Sequence, residues 1–124
     1  MGNNDVSIQE RSENFAIRVI KAYTEINRNN HYNDAVAVIS KQFLSSGTSV
    51  GANVAEAIYA QSNKDFISKY SIALKEASES RYWIKIMIKS EIVSENKMSL
   101  LLEESERILK ILTTIINKLK AKEK

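Results

Sequence analysis

The feature that most constrains this chain is a step of seven. Val36, Phe43, Val50 and Ala57 recur at that interval, and so do Ser40, Gly47, Val54 and Gln61. Seven residues are close to two α-helical turns, so each set shares a face. The register passes unbroken through SSGTSVGANVAEA, Ser45 to Ala57, which holds two of the three glycines in the chain. A phosphate-cradling loop inserted there would have no reason to keep the register. It also lacks the rest of that motif: no G-x-x-x-x-G-K-[ST], no preceding strand, and no lysine until Lys64. The spacing predicts one helix over Asn33 to Gln61, at a cost of about 1 kcal/mol per interior glycine relative to alanine. Something must offset that cost. Gly47 and Gly51 lie on neighbouring turns, with Asn53 beside them, and open a shallow groove that lets another helix approach closely.

Three further segments carry helical periodicity. From about Ser7 to Arg28, Ile8, Phe15, Val19, Tyr23 and Ile26 share a face behind an S-x-x-E capping box, Ser7 to Glu10. From about Asn63 to Ser90, Phe66, Tyr70, Ala73, Ala77, Ile84 and Ile88 align, with Ser62 placed to cap and Asp65 three residues on. From about Glu95 to Ala121, after Ser94, Met98, Leu101, Leu102, Ile108, Leu109, Leu112, Ile116 and Leu119 form one stripe. The chain has no proline, so nothing interrupts a long helix. Four helices of similar length with short connections, in 124 residues, predict an all-α, antiparallel up-down four-helix bundle over residues 7–121. Residues 1–6 and 122–124 are expected to be flexible tails.

Little here supports catalysis. Without cysteine there is no thiolate nucleophile, disulfide or sulfur metal ligand. The one histidine, His31, sits in the polar turn Asn29 to Asn33, and a di-iron bundle needs two E-x-x-H motifs. Glu56, Glu76 and Glu79 read as solvated or paired helix carboxylates rather than acid-base groups. The expectation is a non-enzyme with no catalytic residue, no metal site and no cofactor. MGNNDV has Val6 where a myristoylation signal wants Ser or Thr. No signal-peptide pattern precedes the bundle, and no run approaches the ~20 apolar residues of a membrane span. A soluble cytoplasmic protein that contacts no membrane is expected.

One bundle core needs one apolar stripe per helix, yet the third helix carries a second, Ile72, Trp83 and Ile86, and the fourth adds Leu100, Ile111 and Ile115. Gln42, Ser49, Asn53 and Glu56 make a polar seam beside the core face of the second. The extra apolar groups, Trp83 above all, with Glu56 and Arg81 as further candidates, predict a subunit or partner interface, and a homo-oligomer is expected. Arg81 falls at the edge of the third helix's core face and needs a carboxylate, with Glu56 one candidate and Glu76 or Glu79 the others.

QFLSSGTSVGANVAEA, SKYSIALKEASESRYWIKI and ERSENFAIRVIKAY together resemble the four-helix-bundle family named after proteins encoded in intervening sequences of bacterial 23S rRNA genes. The resemblance extends from about Val6 to Leu119. It implies an up-down bundle that assembles as a ring-shaped homopentamer, with no established enzymatic activity. A relative in that broad family is the accessory protein of diversity-generating retroelements, a basic pentamer that partners a reverse transcriptase and nucleic acid. Family members typically read Q-L-L-R-S-G-T-S, whereas this chain has Ser45 in place of the arginine.

Net charge is only +3, but thirteen of the eighteen basic residues and nine of the fifteen acidic ones fall in residues 64–124. That surplus permits an acidic partner, RNA or DNA, with Lys75, Lys85 and Lys89 and the C-terminal Lys118, Lys120, Lys122 and Lys124 as candidates. Each also has a plainer role, complementing a helix C-terminus or keeping a face soluble.

Overall fold

Every helix starts on a side chain that accepts a hydrogen bond from its own first turn. The computed structural model describes residues 6–30 and 32–123, with the side chain of Asn29 excluded. It contains α1 (Ile8–Asn29), α2 (Asp34–Ala57), α3 (Asn63–Lys89) and α4 (Glu95–Glu123). Ser7 Oγ accepts from the Glu10 amide at 3.1 Å and Asn33 Oδ1 from Val36 at 3.1 Å. Ser62 Oγ accepts from Asp65 at 3.0 Å and Ser94 Oγ from Lys97 at 3.3 Å. Each satisfies one of the amides that a helix N-terminus leaves unpaired. The expectations for residues 1–5, for His31 and for Lys124 lie outside the described residues.

The helix ends depart from the sequence reading in two places. The second helix stops at Ala57, four residues before Gln61. Its last amides bond three residues back, Ile58 to Ala55 O, Tyr59 to Glu56 O and Ala60 to Ala57 O. This tightening ends the helix in time for Ser62 to cap the next one. The fourth helix instead runs two residues past Ala121. At its end the Asn63 side-chain amide donates to Glu123 Oε2 at 2.8 Å, tying it to the start of α3.

The α3 exit is built around a left-handed residue. Glu91 has φ 66°, the Ile92 amide donates to Met87 O at 3.0 Å, and the Glu91 amide donates to Ile88 O at 3.0 Å. Those two bonds close a Schellman motif, which usually has glycine where Glu91 stands.

Contacts run α1 to α2, α2 to α3, α3 to α4 and, more sparsely, α4 back to α1, as an up-down bundle requires. The core is one cluster: Phe15, Val19, Phe43, Val50, Val54, Tyr70, Ala73, Ala77, Ile84, Met87, Ile108 and Leu112 are all but sealed from solvent. Five serines share it, Ser12, Ser40, Ser46, Ser80 and Ser105. Each buried hydroxyl is satisfied locally, for example Ser12 Oγ on Gln9 O at 3.1 Å and Ser105 Oγ on Leu102 O at 2.6 Å. Ser46 and Ser80 also meet across the α2–α3 interface, Oγ to Oγ at 3.2 Å. Their short side chains let the helices approach, and the hydroxyls avoid the penalty of unpaired burial.

Candidate functional site

The sequence-selected residues fall into separate places on the bundle. The glycines face α1. A Cβ on Gly47 would lie 2.7 Å from both Val19 methyl carbons, and one on Gly51 would lie 3.2 Å from the backbone oxygen of Ser12. Real Cβ atoms essentially never come as close as the first distance, and the second is tighter than most, so α1 fills the space at Gly47 and crowds it at Gly51. Asn53, on the same helix, turns its side chain back along α2. Its side-chain amide donates to Ser49 O of its own helix at 2.8 Å.

The second place is the outer side of the α2–α3 pair. Ile72 is 40% exposed, Trp83 and Ile86 are half-buried, and on α2 Val38 is exposed, on the flank it shares by helical spacing with Ser45, Ala52 and Glu56. Trp83 packs on the edge of the core, meets the Tyr82 ring edge-on at 5.0 Å, and directs its indole N–H to Glu79 Oε1 at 3.3 Å. Glu56 receives Lys69 Nζ at 3.1 Å across the α2–α3 seam. On α4, Ile111 and Ile115 pack against this chain's own core, whereas Leu100 remains exposed. The second stripe of α4 is therefore largely used within the subunit.

Arg81 is paired with none of its three proposed carboxylates. Its Nε–H donates to Glu106 Oε2 of α4 at 2.9 Å. Residue 81 lies four beyond the buried Ala77, which turns it about 40° around the helix at roughly 100° per residue. That turn carries it to the α4 side, away from Glu56.

The lysines form no single patch. Lys75, Lys85 and Lys89 share the outer surface of α3, with Lys85 and Lys89 at its C-terminal end. Lys118 and Lys120 are near the end of α4, beside the first turns of α3, which the Asn63–Glu123 contact places roughly 10 Å along the axis from Lys75 and roughly 25–35 Å from Lys85 and Lys89. Two residues apart on one helix, they also point in directions that differ by about 160°.

A fourth cluster was not singled out from the sequence. Arg11 Nη1 donates to Glu104 Oε1 and Oε2 at 3.2 and 3.1 Å, across the sparse α1–α4 seam, with the two side chains only 14% and 12% exposed. Arg107 Nη1 donates to the same carboxylate at 2.9 Å. Arg18 lines the same cleft. The available signal was Arg11 and Arg18 stepping by seven along one flank of α1, opposite Glu104 and Arg107 one turn apart on α4.

Two described groups titrate away from their usual range. Burial pushes the Tyr70 phenol up. Burial also raises the Glu76 carboxyl, with the like charge of Glu79 adding to it and Lys75 opposing. Among the described residues no three His, Asp or Glu side chains are placed to hold a metal ion, and no helix is long and apolar enough to cross a membrane.

Residues 4–114 match the family of 23S rRNA-intervening sequence proteins. Among solved structures, a Bacteroides thetaiotaomicron protein of unknown function from the S23 ribosomal protein family is 39% identical, with a TM-score of 0.82. The alignment covers 89% of this chain and 98% of that one. No curated protein matches the chain.

Proposed function

The chain belongs to the family of 23S rRNA-intervening sequence proteins, and on that premise we propose that it is a non-enzymatic homo-oligomer, a ring-shaped pentamer, whose subunits meet through the outer α2–α3 face. The observation that carries this reading is the exposure of Ile72 and Val38 beside half-buried Trp83 and Ile86. Small side chains at Ser45, Ser49 and Ala52 would let a neighbouring helix come close. α2 holds only Asp34, Lys41 and Glu56 as charged residues in 24, a low density for a helix whose outer face meets water. Light scattering after size exclusion tests the proposal: the expected mass is about five times the 14.0 kDa of one chain. Ile72→Glu should lower that mass while helical content is retained. A monomer persisting at micromolar concentration overturns it.

A second reading is a nucleic-acid-binding accessory factor acting with RNA or a reverse transcriptase. It is supported by the basic surplus of residues 64–124, which a ring would repeat by symmetry. Binding would be sequence-tolerant and fall steeply with salt, because phosphate contacts release counterions. Fluorescence anisotropy with labelled RNA and DNA over a salt series tests it. Neutralising Lys75, Lys85 and Lys89, or Lys118 and Lys120, should weaken binding. Binding indifferent to both sets, or none at about 50 mM salt, removes it.

A further inference from the structure

The middle of α2, Gln42 to Ala55, runs fourteen residues without a charge. A helix whose only neighbours are α1 and α3 keeps an outer face in water and normally carries charge there. The hydroxyls on this stretch are already spent: Thr48 Oγ1 donates to Leu44 O at 2.9 Å and Ser49 Oγ to Ser45 O at 2.7 Å, both within the helix. Covering them strands no donor.

Between α1 and α2 lies a groove of about 550 Å³, floored by the small side chains of Ala16, Thr48, Ala52 and Ala55 and walled by Ile58, which is 62% exposed. Lys41, Thr48 and Ala55 step by seven along this flank of α2. On α3, Ile72, Glu79 and Ile86 step by seven as a ridge of larger side chains, and Trp83 stands beside it with its indole N–H on Glu79 Oε1. The Glu56–Lys69 and Ser46–Ser80 contacts set the heights: Ala55 is level with Ser71, Thr48 with Ser78 and Lys41 with Lys85.

A cyclic ring joins unlike faces and shifts nothing along its axis, so the outer α2–α3 face must meet a different face of the next copy. The α1–α4 cleft holds four charged side chains, Arg11, Arg18, Glu104 and Arg107, among its eight described lining residues. The groove on the far flank of α3 holds Arg81, Lys85 and Lys89 among six. The α1–α2 groove holds two, Glu10 and Glu13, among eleven. It also adjoins the α2–α3 face. Adjacent faces of a four-helix bundle, splayed by about 90°, close a small ring, whereas opposite faces build an open row.

Resting on the reading that the outer α2–α3 face is a subunit contact, we propose that the α1–α2 groove is the surface that receives it, the α3 ridge of a second copy of this chain lying in the groove. With the bundles standing along the ring axis, Ile72 seats on Ala55, and Trp83 and Ile86 cover the aliphatic stem of Lys41, whose ammonium reaches toward Glu79 of the neighbouring copy. At the other end of the groove the close approaches of α1 to α2 put Glu10 and Glu13 within about a turn of the heights of Lys69 and Lys75, so the rim and the ridge oppose unlike charges there as well. α2 is then covered on both flanks, which accounts for its uncharged middle.

Two full-length variants each disable one surface: Ile72→Glu spoils the ridge and Ala55→Arg fills the groove. Light scattering after size exclusion should find each monomeric where the parent is oligomeric, with circular dichroism unchanged. Mixed in equal amounts, they should form a 1:1 pair of about twice the 14.0 kDa of one chain, because one intact ridge then meets one intact groove. The chain has no cysteine, so Ala55→Cys combined with Ile72→Cys gives a readout that does not depend on the Arg variant folding. Treated with oxidised glutathione, this double variant should run as covalent multimers on a denaturing gel. An oligomeric parent whose mass survives Ala55→Arg, a mixture of the two variants that stays monomeric, or a cysteine pair that gives no covalent multimers overturns the groove assignment and leaves the α2–α3 contact standing. A monomeric parent overturns both.

Discussion

Both methyl carbons of Val19 stand 2.7 Å from the point where a Cβ would be attached to Gly47. Val19 is sealed in the core and β-branched, so its side chain has one favoured rotamer in a helix and little room to turn away. The glycine that costs α2 helical propensity is therefore the one that lets α1 and α2 close on each other.

Gly47→Ala should destabilise the protein by roughly 1 kcal/mol, because overpacking of about 1–3 kcal/mol exceeds the propensity gain of about 1 kcal/mol. In a Val19→Ala background the same substitution should cost much less, since the clashing methyls are gone and only the residue-19 Cβ, 3.1 Å away, still crowds it. Urea melts of the four proteins in this double-mutant cycle give the sign directly. Equal effects of Gly47→Ala in both backgrounds would show that the contact does not explain the glycine. No such rescue by side-chain truncation is expected for Gly51→Leu, whose obstacle is the backbone oxygen of Ser12.

Two inter-helix ion pairs should differ sharply in worth. Arg11–Glu104 is 14% and 12% exposed, whereas Arg81–Glu106 is 40% and 41% exposed. Removing Glu104 takes a shared acceptor from both Arg11 and Arg107 in a shielded seam, while an open pair is solvated and screened. Glu104→Ala should cost about 3 kcal/mol, and Glu106→Ala no more than about 1 kcal/mol. Thermal melts in low and high salt check the ranking. A Glu106 variant as damaging as the Glu104 variant would contradict it.

The bundle was legible because its information is periodic: residues seven apart share a face whatever their tertiary partners, and Ser7, Ser62 and Ser94 marked three of the starts. What the sequence withheld depends on the angular position of one helix against another. Arg81 was assigned carboxylates on α2 or its own helix because sequence spacing cannot tell that a 40° turn from Ala77 leads to α4. Ile111 and Ile115 looked surplus to one core but are covered by their own subunit. The α2 end was missed because Ala57 to Gln61 contains neither glycine nor proline, and the helix stops by tightening its hydrogen bonds instead. Ser12 and Ser105 were readable as core positions, since each leads by seven to Val19 or Leu112. Their polarity masked the register.

Glu91 supplies a stabilising substitution. It holds φ 66° at the position of the α3 Schellman motif where glycine is commonest. A left-handed conformation costs an L-residue about 1 kcal/mol that glycine does not pay. The side chain is exposed, so little packing is lost. Glu91→Gly should raise stability by up to about 1 kcal/mol in a chemical melt. Glu91→Ala, which cannot relieve the backbone, should not.

The final prediction concerns pH and rests on Glu76. Its carboxyl titrates above the ordinary value of 4.5, through burial first and the neighbouring charge of Glu79 second. A raised folded pKa means that the folded state binds the proton more tightly than the unfolded chain does, so ionised Glu76 opposes folding. That penalty is fully present above the folded pKa. It shrinks as pH falls through that value and is gone below 4.5. Glu76→Gln should therefore melt at a higher temperature than the parent at pH 7, with the advantage disappearing as pH approaches 4.5. If the outer α2–α3 face is the subunit contact, burying Glu76 further would enlarge the effect, and its size would depend on protein concentration. Melts of both proteins between pH 4 and 8, at two concentrations, read out the two parts. A Glu76→Gln variant less stable than the parent at pH 7 would mean that the ionised carboxylate contributes a favourable interaction outweighing its desolvation.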